Sequence, residues 1–127
     1  MEMRGVQDPA MVEHIVEEAV SALQSKRAHG VLTLDMRRLD NPVCDFFVIC
    51  DAQTSPHIKS LADEVEHRVG TGTGEWPLRQ SGLENAQWVV IDYFDVVVHI
   101  FSSEARRFYD LESLWSDALR MDYPDEE

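Results

Sequence analysis

The sequence predicts a single α/β domain: a mixed β-sheet of about five strands with flanking helices. Three observations carry this. Apolar residues recur at helical spacing in two stretches, Val12, Ile15, Val16, Ala19, Val20, Leu23 and Ile58, Leu61, Ala62, Val65, Val69. Short runs at 31–36, 46–50 and 89–101 alternate or are wholly apolar, as strands are. A chain of 127 residues suffices for one domain with a real core and is short for two.

The first helix is expected over 9–27, opened by Asp8-Pro9 and stopped by Gly30. Val31-Leu-Thr-Leu-Asp-Met36 alternates and reads as a strand. Phe46-Phe-Val-Ile-Cys50 is apolar on both faces, which suits an inner strand between two layers. Ser55-Pro56 opens the second helix as cap and first-turn proline. Residues 70–75, Gly-Thr-Gly-Thr-Gly-Glu, are expected to form a loop. A phosphate-cradling loop leads into a helix, whereas this one follows a helix and runs into Trp76-Pro77. Residues 78–83 suggest a short strand, and 89–101 a hairpin. Residues 103–115 suggest a third helix packing Ala105, Phe108, Leu111, Leu114 and Trp115. The domain is expected to occupy 1–120, with 121–127 an acidic, mobile tail.

Charge narrows the function. Eleven Lys and Arg against 24 Asp and Glu give a formal −13. Such a surface repels phosphate backbones and anionic lipid, which argues against direct nucleic-acid or membrane binding, and it attracts a basic protein. No stretch reads as a membrane span or a signal peptide. Cys44 and Cys50 lack Cys-x-x-Cys spacing and read as buried thiols of a cytoplasmic protein.

The hairpin Val89-Val-Ile-Asp-Tyr-Phe-Asp-Val-Val-Val-His-Ile-Phe101 holds the candidate site. With Tyr93-Phe94 as a two-residue bend, Asp92 faces Asp95 and Trp88 faces His99. Val89, Ile91, Val96, Val98 and Ile100 then share one aliphatic face, and Trp88, Val90, Asp92, Asp95, Val97 and His99 share the other. Facing aspartates repel, so that end of the face should be wet or meet a cation. An apolar strip rimmed by charge describes a protein-binding surface.

Paired carboxylates at Asp92 and Asp95 also suggest a Mg²⁺-dependent nucleotidyltransferase-like enzyme. That alternative needs a phosphate-gripping loop and basic residues nearby, and only Arg106 and Arg107 are candidates. The histidines at 14, 29, 57, 67 and 99 show no paired ligand spacing, so no metal, cofactor or catalytic residue is assigned.

Several segments occur together in a specific order and spacing. They are Asp45-Phe-Phe-Val-Ile-Cys50, Thr54-Ser-Pro-His57, Trp88-Val-Val-Ile-Asp92, Asp95-Val-Val-Val-His-Ile-Phe101 and Glu104-Ala-Arg-Arg-Phe-Tyr-Asp-Leu-Glu-Ser-Leu-Trp115. The set resembles the ribosomal silencing factor, or Iojap-like, family over residues 12–118. The resemblance implies a nucleotidyltransferase-like topology without the enzymatic activity. It implies binding to the large ribosomal subunit through a ribosomal protein of its intersubunit face, number fourteen in the usual naming. It also implies a steric block to small-subunit joining, hence lower translation, and a homodimer.

Trp88, Asp92, Asp95 and His99 match the family motif and carry over as partner-binding residues. Trp88 would be the anchor, the carboxylates would meet Lys or Arg, and His99 would brace Trp88. Tyr93 and Phe94, in the bend between them, complete the expected set. One departure is Phe94, where the family usually has glycine. A tight two-residue bend there requires positive φ, which is costly for phenylalanine, so either the turn differs or Phe94 is held by contacts; Phe94 is expected to add an apolar contact to the ribosomal protein.

Overall fold

A computed structural model of the chain describes residues 8–126. The element order is α1 (Pro9–Ser25), β1 (His29–Asp35), β2 (Phe46–Ala52), α2 (Ser55–Thr73), β3 (Arg79–Ser81), β4 (Trp88–Asp92), β5 (Val96–Ser102), α3 (Ser103–Tyr109), α4 (Leu111–Leu114) and β6 (Leu119–Asp122). The strands form one six-stranded sheet in the order β3-β4-β5-β2-β1-β6. β2 and β5 run parallel at its centre, and the other neighbours pair antiparallel.

Local chemistry sets the helix starts. Asp8 accepts the Ala10 N–H and Pro9 supplies the first turn. For α2 the cap is Thr54, one residue earlier than the expected Ser55, and its Oγ1 accepts the His57 N–H at 3.3 Å. The expected loop at 70–75 is largely the last turn of α2, which runs on to Thr73 and ends at Gly74 with φ 81. Gly70 is required there, because a Cβ would lie 2.2 Å from the Trp76 ring folded back over the helix.

The sheet separates two apolar layers. One face carries Val48, Cys50, Val89, Ile91, Val96, Val98 and Ile100 under the stripes of α1 and α2. The other carries Leu32, Leu34, Phe47, Ile49 and Phe101 under Ala105 and Leu111. Every residue of β2 is buried, as a strand covered on both faces must be. Both thiols are buried, and burial pushes the Cys44 pKa up to about 12.

Two expectations are corrected. The third helix is not continuous: Asp110 takes φ 47, so α3 stops at Tyr109 and α4 starts at Leu111. Ala105 and Leu111 stay buried, whereas Phe108 and Leu114 are 80% and 69% exposed. The segment expected to be tail from residue 121 begins inside a sixth strand. Met121 pairs with Thr33 and Asp122 with Leu32. Beyond it Tyr123 N–H donates to the Val31 carbonyl at 2.9 Å and Gly30 N–H to Asp125 at 2.9 Å. Its pairing partner is β1, some ninety residues away, which no local pattern reports.

Candidate functional site

The β4–β5 hairpin presents one face of the sheet beside α3. Its register pairs Trp88 with Phe101, Val90 with His99 and Asp92 with Val97. This differs from the expected register by two residues. A two-residue slip preserves facing, so the aliphatic face is buried as expected and Trp88, Val90, Asp92, Val97 and His99 share the other. The bend moves to Phe94-Asp95. Tyr93 N–H donates to the Val96 carbonyl at 2.8 Å, and Asp95 N–H closes a three-residue turn on the Tyr93 carbonyl at 3.0 Å. Phe94 takes φ 77, the positive value that a glycine would adopt freely.

The new register changes what the aspartates do. Asp92 lies opposite Val97, so the paired-carboxylate geometry behind the enzyme alternative is not formed. Asp92 Oδ1 accepts the Phe94 N–H at 2.7 Å and Oδ2 lies 3.5 Å from Arg79 Nε. Asp95 is a buried turn residue whose carbonyl accepts the N–H groups of Asp45 and Phe46, both at 3.0 Å. It ties the hairpin tip to the start of β2 and does not line an open face. Among the described residues no group of three or more His, Cys, Asp or Glu is placed to hold a metal ion.

Tyr93 is corrected as well. With the bend one residue later it belongs to the aliphatic face and is 1% exposed. Its hydroxyl is buried without a partner among the described residues, and burial raises its pKa, with Glu66 adding to the effect. It cannot touch a docking partner.

His99 is 5% exposed, so it too is removed from direct contact. Trp88 Nε1–H donates to His99 Nδ1 at 3.0 Å, which makes the ring a neutral acceptor on that side. Phe47 meets the imidazole edge-on at 4.4 Å. Burial lowers the His99 pKa to about 4, against the opposing pull of Asp92. The expected brace on Trp88 is therefore present as a hydrogen bond.

Trp88 is half-buried rather than protruding. Its ring packs against Phe101 at 5.0 Å and Tyr109 at 4.5 Å, which also meet each other at 6.4 Å, and Phe108 lies 5.0 Å from Tyr109. The outer part of this strip is Tyr109 and the exposed Phe108, both of which the sequence placed in an unbroken helix. At the other end Val43, Leu78, Arg79, Asp92, Phe94 and Val97 line a shallow groove. Val43 and Leu78 follow Pro42 and Pro77 in irregular segments, where no periodicity marks them.

A polar cluster anchors α3 behind this face, at the carboxyl ends of β2 and β5. Arg106 lies 2.8 Å from Asp51 and 2.9 Å from Glu112, and it donates to the His29 carbonyl at 3.3 Å. His29 and Ser103 each reach Asp51 at 3.1 Å. These contacts hold the helix that carries Tyr109.

Comparison with known proteins places this architecture. The family model described as ribosomal silencing factor during starvation matches residues 9–127. A ribosomal silencing factor of Halalkalibacterium halodurans is 37% identical over 106 residues, 84% of this chain and 89% of that protein. One of Bacillus subtilis is 36% identical over 104 residues, 82% of this chain and 86% of its own length. A crystal structure of a Chromobacterium violaceum protein superposes with a TM-score of 0.76 at 27% identity, covering 83% of this chain and 86% of the other. With an α/β sheet of this form and a match along the whole described domain, the chain belongs to the ribosomal silencing factor family.

Proposed function

We propose that the chain represses translation by docking on the large ribosomal subunit, through a basic ribosomal protein of its intersubunit face, and excluding the small subunit. One observation carries the reading. The hairpin–α3 face leaves Tyr109 and Phe108 exposed beside the half-buried Trp88 and, at its other end, Phe94 exposed next to Asp92, on a chain of net charge −13. An exposed apolar patch of this kind marks an interaction surface. Its charge favours a cationic partner and speeds encounter with it. Occupancy alone suffices for repression, since a bound domain excludes a competing surface without chemistry.

Trp88, Asp92 and Phe94 remain contact residues in this proposal, joined by Tyr109 and Phe108. His99, Tyr93 and Asp95 act from beneath. A homodimer and a cytoplasmic location belong to the same reading. No helix among the described residues is long and apolar enough to cross a membrane.

Sedimentation of ribosomal subunits with the purified chain tests it. The chain should travel with the large subunit at moderate salt, reduce subunit joining, and release as salt screens the contact. Phe108→Asp, at an exposed position, should abolish both effects while leaving the melting temperature unchanged. Migration with neither subunit would refute the proposal.

A further inference from the structure

The hairpin tip holds a bulky side chain where the backbone disfavours one. Phe94 sits at φ 77, a region that a residue with a side chain rarely adopts. Its ring is 42% exposed, so interior packing does not offset that strain. Instead the ring forms one wall of the groove, with Val43, Leu78 and Val97 as the others. Val43 and Leu78 are exposed in turn. The polar members are Asp92 and Arg79, 3.5 Å apart, and the Arg79 side chain is 81% exposed.

This combination has a specific chemical match. Apolar walls leading to a carboxylate suit a side chain with a methylene stem and a cationic head. Arg79 already approaches Asp92 in this way, but an exposed ion pair at that distance is weak and easily exchanged.

We infer that the Val43–Leu78–Phe94–Val97 groove receives a lysine or arginine side chain of the docking partner. Its stem lies against Phe94 and its head on Asp92, and Arg79 is the resident group it displaces. This rests on the docking reading above and specifies its partner chemistry. Phe94 is thus an interface residue held in a strained conformation for contact.

The test is the affinity of intact large subunits for the chain at fixed moderate salt, with the melting temperature of each variant. Arg79→Ala should bind more tightly, by at least about threefold beyond Lys59→Ala, which removes an equal charge from exposed α2. Asp92→Asn keeps an oxygen for the Phe94 N–H but loses the charge, and should bind about tenfold more weakly. Phe94→Gly should also bind about tenfold more weakly while melting at the same or a higher temperature, because glycine relieves the strain. Arg79→Ala binding no tighter than Lys59→Ala, or parent-like binding by Phe94→Gly or Asp92→Asn, overturns the groove assignment. A parent chain that fails to bind overturns the docking reading and the groove with it.

Discussion

The indole N–H of Trp88 points inward, onto His99 Nδ1 at 3.0 Å, although part of the Trp88 ring reaches the surface. The residue at the centre of the open face is therefore held from behind. A free tryptophan would lose rotamer freedom on binding, whereas one already clasped by His99, Phe101 and Tyr109 has lost it during folding.

His99→Leu should lower stability by about 1–3 kcal/mol, since it leaves the Trp88 N–H without its acceptor. His99→Asn offers an amide oxygen in its place and should recover part of the loss. Urea unfolding of the two variants and the parent, with Trp88 emission followed in a Trp76→Phe, Trp115→Phe background, checks this. Equal stability of the two variants would show that the bond contributes nothing.

Acid should destabilise the fold through the same ring. His99 titrates near its ordinary 6.5 when unfolded and at about 4 when folded. The unfolded state thus binds more protons between these values, and stability falls as pH drops from 6.5 towards 4. The contribution is fully present above 6.5 and amounts to about 3 kcal/mol at most. Unfolding free energies measured across pH 4–7 should slope less steeply in His99→Asn than in the parent.

Arg106→Met should be among the more damaging single changes, at about 3–5 kcal/mol, because it strands the buried Asp51 carboxylate beside Glu112. A double variant that also replaces Asp51 with Asn should recover part of the stability. Thermal unfolding of the three proteins measures both effects. Large-subunit binding should fall with Arg106→Met even at low temperature, as Tyr109 loses its anchored helix.

Removal of residues 119–127 should lower the melting temperature sharply. β6 pairs four residues with β1, and Tyr123 and Asp125 extend the contact. Without them the β1 edge stands open, which promotes association between chains. Light scattering and thermal unfolding of the truncated chain would detect both consequences. An unchanged melting temperature would mean that the strand adds nothing to the fold.

By itself, the sequence determined the features that repeat along the chain. The stripes of α1 and α2, the doubly buried β2 and the two faces of the hairpin all follow from spacings of 3.6 or 2, which the side chains carry locally. At Phe94 the sequence left two outcomes open, a different turn or an aromatic residue held in place by contacts, and the structure shows a three-residue turn with Phe94 at φ 77. Tertiary structure decided the rest. Only the pairing of β6 with β1 converts an acidic end into a strand, and only the packing of α3 on the sheet, held by the Arg106 cluster, leaves Phe108 exposed. The hairpin register differs by two residues from one with a bend at Tyr93-Phe94, and Tyr93 is buried among core residues of the helices and the sheet. Each of these depends on contacts between residues far apart in the chain, and a local pattern holds no record of them.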